Sequence, residues 1–156
     1  MDSTTDFDIR RAELTDLPHV IALFAADPVG GHGDTTEPEA FDEYLAAFAR
    51  IEASPLQSLY VARLGDQVVG TFQTTLLTSL PGPGKPRLLV EAVQTRQDMR
   101  GRGIGERMMR HAIDRAREAG AAKVQLASNA TRAAAHRFYE RLGFVRSHFG
   151  FHMPLK

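Results

Sequence analysis

A chain of 156 residues with 43% hydrophobic and 24% charged positions has the size and make-up of one soluble domain, able to bury about 70% of the surface its unfolded chain exposes. Nineteen Lys and Arg against nineteen Asp and Glu leave no net charge, so composition supplies no field to draw nucleic acid or an acidic membrane, and neither is expected as a partner. Cysteine is absent, which excludes a disulfide framework, thiolate metal ligands and a cysteine-bound acyl intermediate.

Met1 to Asp6 is polar and acidic, unlike the basic start and apolar core of a signal peptide. No apolar run approaches the ~18 residues of a membrane span, so a cytoplasmic protein is expected. Residues 7–11 alternate apolar and polar and predict a strand. Thr15 or Asp16 is placed to cap a helix whose apolar face is Leu17, Val20, Ile21, Phe24 and Ala25. Pro28, Gly30, Gly31, Gly33 and Pro38 then break the pattern into a loop. A second helix follows, with Phe41, Tyr44, Leu45, Phe48 and Ile51 recurring at three and four. Residues 56–64 and 68–77 predict two strands joined tightly at Gly65-Asp66. Pro81, Gly82, Pro83, Gly84 and Pro86 prevent regular structure over 78–86.

Residues 88–95 predict the central strand. Simple alternation puts Leu89, Glu91, Val93 and Thr95 on one face and Leu88, Val90, Ala92 and Gln94 on the other. Glu91 then shares its face with apolar neighbours, where desolvation would raise a carboxylate's pKa towards the range of a general base. Alternatively Glu91 pairs with an arginine such as Arg87, or lies at a wet sheet edge.

After this strand come Arg100, Gly101, Arg102, Gly103, Ile104 and Gly105, and a helical pattern begins at once. Glycine lets backbone N–H groups approach a ligand, and a helix start offers unpaired amides and partial positive charge. With two guanidinium groups beside it, this is a receptor for phosphate or pyrophosphate. The spacing does not match the commonest motifs: Glu106-Arg107 stand where a P-loop needs Lys and then Ser or Thr, and Glu106 stands where a dinucleotide fingerprint needs Gly.

In the helix itself Ile104, Met108, Ala112, Ala116 and Ala119 form the packing stripe, with Met108 and Met109 as filler. Arg110 and Asp114 are spaced to pair, Arg107, His111 and Arg115 make a basic row predicted to be solvated, and Gly120 is the left-handed cap. Residues 124–128 predict a strand. Asn129-Ala130-Thr131 leads into a last helix that buries Ala135, Phe138 and Leu142, with Tyr139 turned about 100° from Phe138. Gly143 caps it, and residues 144–146 and 149–155 read as short final strands. His148 and His152 there either border an acceptor pocket or sit on exposed edges.

Arg100-x-x-Gly103-x-Gly105 resembles the signature motif of the GNAT superfamily of acyl-coenzyme A-dependent N-acetyltransferases. An acid-bearing strand before the motif, a long helix after it, and Asn129 followed by His136 to Phe144 downstream strengthen the likeness. The resemblance implies one α/β (α+β) domain over 1–156, with a central, mixed, mostly antiparallel, splayed sheet of about seven strands flanked by about four helices. It implies that acetyl-coenzyme A is the acyl-donor substrate, its pyrophosphate held by Arg100, Gly101, Arg102, Gly103, Ile104 and Gly105. The pantetheine arm would lie along the main chain of Val93, Gln94 and Thr95, with a contact from Asn129, which is otherwise a helix N-cap.

The resemblance also points to Glu91 as the base that takes a proton from the attacking amine through water. Tyr139 would be the acid that protonates the departing thiolate and would itself contact the cofactor; otherwise it is a half-buried aromatic whose hydroxyl meets water. Members of the family build their acceptor site near the loop that here holds His32, Asp34 and Glu37, residues that are equally suited to a solvated loop.

The expected activity is direct transfer of an acetyl group to a primary amine, on a small molecule or a peptide, with no metal. A homodimer is compatible with the fold. A second reading is a non-catalytic acyl-coenzyme A sensor or regulatory module, which needs the loop but not Glu91 or Tyr139. A third is a binder of nucleotide phosphates.

Overall fold

The computed structural model describes residues 6–27 and 33–156, so His32 lies outside the described residues. In chain order the elements are β1 (Phe7–Arg11), α1 (Leu17–Ala25), α2 (Phe41–Ala53), β2 (Gln57–Leu64), β3 (Gln67–Leu77), β4 (Arg87–Thr95), α3 (Ile104–Glu118), β5 (Lys123–Leu126) and α4 (Ala133–Arg141). The strands form one sheet in the order β1-β2-β3-β4-β5. The chain falls into two compact units, residues 1–125 and 126–156.

In the first unit the β2–β3 hairpin turns at Gly65, whose φ of 63° is the left-handed value that favours glycine. Two helices cover one sheet face. Leu17, Val20, Ile21 and Leu23 of α1 and Phe48 of α2 pack with Leu59 and Val61 of β2 and Val68 of β3 in one buried cluster. Each such side chain gains about 1.5–3 kcal/mol by leaving water. No side-chain cap bond closes the start of α1. Instead Asp16 accepts from the Glu13 amide at 2.8 Å and from Arg10 Nη1 at 2.7 Å, pinning β1 to the turn before the helix.

The other face carries α3. Tyr60 and Phe72 are cross-strand partners with rings stacked at 4.9 Å, and both meet the ring of His111, at 5.1 and 6.2 Å. A Cβ on Gly70 would fall 2.8 Å from Met108 Sδ, so glycine there lets the helix approach the sheet. The predicted solvated basic row is corrected by this packing: His111 is half-buried against two aromatics, and the Arg107 guanidinium lies 3.8 Å above the Phe7 ring. Burial, and next the nearby Arg115 charge, lower the His111 pKa from its ordinary value. Arg110 pairs with Glu106 rather than Asp114, which meets Arg117 instead.

The central strand departs from simple alternation. Gln73 pairs with Glu91, yet Thr71 pairs with Gln94 and Gly70 with Thr95. One more residue is spent on β4 than on β3, the signature of a β-bulge, and Ala92 takes φ 55° there. Leu59 and Val61, in the α1–α2 cluster, stand opposite Gln73 and Thr71. Directly opposed residues share a face, so Glu91 and Gln94 both face the α1–α2 side. Thr95, opposite the Gly70 that touches Met108, faces α3, and so does Val93 beside Gln94. The expected grouping of Glu91 with Val93 and Thr95 is thus overturned by one inserted residue. Glu91 is also exposed rather than set among apolar neighbours, so the desolvation argued for it is absent.

In the second unit α4 runs Ala133–Arg141. Residues 144–156 form no strand, contrary to expectation. Val145, Phe149, Phe151, Met153 and Leu155 are 82–95% exposed. Their alternation has the period of a strand, but a strand exists only through ladder bonds to a neighbour, and none lies beside this segment among the described residues. The described sheet therefore has five strands where about seven were expected.

Candidate active site

The turn between β4 and α3 depends on glycine. Gly101 and Gly103 have φ of 79° and 80°, and Gly103 is the N-cap of α3. Nothing lies within 4 Å of a Cβ placed on either, so the backbone conformation, not crowding, calls for glycine. The first bond of the α3 ladder runs from the Arg107 N–H to the Gly103 carbonyl at 3.1 Å. The amides of Ile104, Gly105 and Glu106 precede that ladder and carry the positive end of the helix dipole. The buried side chain of Ile104 anchors this turn to the sheet. Arg100 and Arg102 are exposed beside it, and Arg100 Nε donates to the Thr95 carbonyl at 3.3 Å.

The strand that leads into this turn is longer than the strand beside it. The Ala122 N–H donates to the Pro86 carbonyl at 2.8 Å, which sets the start of β5 beside the start of β4. β4 is nine residues long and β5 four, so from about Glu91 onward β4 runs past its neighbour. The bulge lies in that part. A non-glycine residue at positive φ costs about 1–2 kcal/mol, and here it falls at Ala92, just before Val93 to Thr95.

On the α1–α2 side, Gln94 Nε2 donates to Asp27 Oδ2 at 2.6 Å. A cavity of about 180 Å³ adjoins this pair, lined among others by His19, Asp27, Thr95, Gln97 and Arg100. Sequence reading missed His19, Asp27 and Gln97 here: their proximity comes from packing α1 against the end of β4, and no spacing signals it. Asp34 accepts from the Tyr44 hydroxyl at 2.6 Å, which ties the loop before α2 to the helix. Burial and then that bond raise the Tyr44 pKa.

Tyr139 and Asn129 lie in the second unit. Tyr139 is half-buried, its ring 5.1 Å from Phe138 and 5.9 Å from Phe144. Burial raises its pKa, with the Arg132 charge opposing. Asn129 is not the N-cap of α4; Arg132 holds that position. The Asn129 side-chain oxygen instead accepts from the Thr131 amide at 2.9 Å and hydroxyl at 2.7 Å, closing a turn ahead of the helix.

The family described as Acetyltransferase (GNAT) family matches residues 17–144. The chain is 36% identical to a crystal structure of a transcriptional regulator from Bacillus halodurans C-125, with a TM-score of 0.92 over 96% of this chain and 99% of that one. A putative acetyltransferase from Agrobacterium tumefaciens str. C58 is 32% identical, with a TM-score of 0.79 over 94% and 99%. An aminoalkylphosphonate N-acetyltransferase of Salmonella typhimurium (strain LT2) is 47% identical over 53 residues, 34% of this chain. The chain thus spans about a third of that curated relative's length, 34%. With a family match running through the central strand, the glycine turn and the last helix, this chain belongs to the GNAT acetyltransferase family.

Proposed function

We propose that the protein, one domain along the sequence given, transfers the acetyl group of acetyl-coenzyme A directly to a primary amine. Arg100, Arg102 and the amides from Gly101 to Gly105 hold the pyrophosphate. The main chain of Val93 to Thr95 aligns the pantetheine arm, with Asn129 as a further contact.

Glu91 draws a proton from the ammonium through water, and the neutral nitrogen attacks the thioester carbonyl carbon. As the C–S bond breaks, Tyr139 delivers its proton to sulfur, and the surplus proton on the acylated nitrogen returns through water to the phenolate, giving a neutral N-acetyl amide, free coenzyme A and the phenol restored. Exposure suits Glu91 to a relay through water, and a raised pKa keeps the Tyr139 phenol protonated. Cysteine is absent, which favours direct attack in a ternary complex over a cysteine-bound acyl intermediate. An acceptor of the kind named for the Salmonella relative, a small amine, is the first class to examine.

The observation that carries this reading is the glycine-arginine turn capping α3 beside a bulged strand that outruns its neighbour. The test is a panel of amines with acetyl-coenzyme A, followed by free thiol release, comparing the parent with Glu91→Gln. A fall of about a hundredfold or more in kcat for the variant is expected.

The second reading, a non-catalytic acyl-coenzyme A sensor, is favoured by the relative described as a transcriptional regulator. Tight acetyl-coenzyme A binding with no thiol release for any amine, unaffected by Glu91→Gln, would select it.

A further inference from the structure

At the end of β4 away from the glycine turn lies a second cavity, of about 310 Å³, lined by Ser79, Lys85, Arg87, Lys123 and Gln125 together with proline and alanine. Three of its walls carry cations and none carries a carboxylate, although the protein as a whole is neutral. Arg87 is half-buried and positioned: its Nη1 donates to Ser79 Oγ at 2.7 Å. The connection that bears Lys85 is folded back by bonds from the Gly84 amide to the Leu80 carbonyl and from the Lys85 amide to the Gly82 carbonyl. Lys123 is brought alongside by the Ala122 to Pro86 bond. Like charges gathered this way repel unless an anion joins them.

Position on the strand ties this cavity to the reaction. Arg87 pairs with Leu77 and Glu91 with Gln73, with no irregularity between them, so the two project from the same face before the bulge. Four residues at about 3.3 Å each separate their backbones by about 13 Å, a gap their side chains shorten from both ends. This sheet face thus offers the Arg87 guanidinium at one end and the Glu91 carboxylate at the other.

We propose that this cavity holds the anionic group of the acceptor: the substrate is an amine that also carries an oxyanion, such as a phosphonate or phosphate, several bonds from its nitrogen. Arg87 and the lysines bind the oxyanion through charge-assisted hydrogen bonds, which sets the nitrogen towards Glu91. The direction in which the nitrogen points rests on the reading of Glu91 as the base.

The experiment measures thiol release with ω-aminoalkylphosphonates of increasing chain length and with the alkylamines of matching length, for the parent, Arg87→Ala/Lys123→Ala and Arg87→Lys. Calorimetric titrations of inorganic phosphate and of the same phosphonates run alongside. The parent is expected to prefer one phosphonate over its alkylamine by about tenfold or more in kcat/KM. The double variant should cut that ratio about tenfold, and Arg87→Lys should restore part of it. Equal kcat/KM for both amine series, or a double variant that lowers both alike, overturns the proposal. Phosphate binding lost in the double variant without any preference between the series also overturns it, and assigns the cavity to a free anion. If thiol release is absent throughout, phosphonate binding that is no weaker in the double variant overturns it as well. Glu91→Gln separates the two readings: a preserved phosphonate preference with undiminished turnover removes the base and leaves the cavity assignment standing.

Discussion

Gln94 reaches Asp27, Nε2 to Oδ2 at 2.6 Å, from the same sheet face as Glu91, three residues earlier. An unbroken strand would send these two to opposite faces. The bulge at Ala92 therefore does two things at once. It turns Gln94 to clasp the end of α1, and it moves Val93 and Thr95 to the α3 side, next to the glycine turn.

Replacing Ala92 tests whether that conformation matters. A β-branched residue at φ 55° is strained, so Ala92→Val should lower stability by about 1–2 kcal/mol and raise KM for acetyl-coenzyme A. Ala92→Gly should leave stability equal or higher. Thermal unfolding and steady-state kinetics on the two variants read both effects, and identical behaviour of valine and glycine would remove the bulge from the account.

Tyr139 has a raised pKa because it is buried. A raised value means that the phenol keeps its proton well beyond neutrality, so no loss of kcat from this group should occur as pH rises from 8 to about 9.5. Tyr139→Phe should lower kcat by about a hundredfold across that range, with KM for acetyl-coenzyme A changed less. A variant within twofold of the parent would take the acid role from this residue.

His111 gives a stability signature. Its folded pKa is lowered, first by burial and then by Arg115, against weaker opposition from Asp114 and Glu118. The unfolded chain therefore binds the proton more readily. The stability from neutral His111 is present above an unfolded pKa near 6.5 and is lost as pH falls through the lowered folded value. The parent should show a lower Tm at pH 5.5 than at 7.5. His111→Phe, which keeps a ring against Tyr60 and Phe72, should shrink that difference. An unchanged difference would place the acid sensitivity elsewhere.

Local chemistry made much of this protein legible. Gly65-Asp66 between two alternating runs announced the hairpin, and Gly101 and Gly103 before a 3.6-residue apolar stripe announced the turn and the helix that follows it. Long-range register stayed hidden. Ala92 is an ordinary residue by sequence, and only pairing with β3 exposes the inserted position and the faces it reverses. His111 sits in a row with two arginines that reads as solvated, because sequence does not say which aromatics lie beneath α3. The alternating apolar residues from 149 to 155 show strand period without a neighbour to pair with. Lys123 lies far along the chain from Lys85 and Arg87, so no motif gathers the three before the fold does.

The central claim is that the turn from Arg100 to Gly105 grips the diphosphate of acetyl-coenzyme A. Its most direct measurement is calorimetric titration of acetyl-coenzyme A into the parent, Arg100→Ala and Gly103→Ala. The account predicts Kd raised about tenfold or more in each variant, with thermal unfolding shifted little for Arg100→Ala. Unchanged Kd in both variants, with the donor still bound one to one, would contradict it.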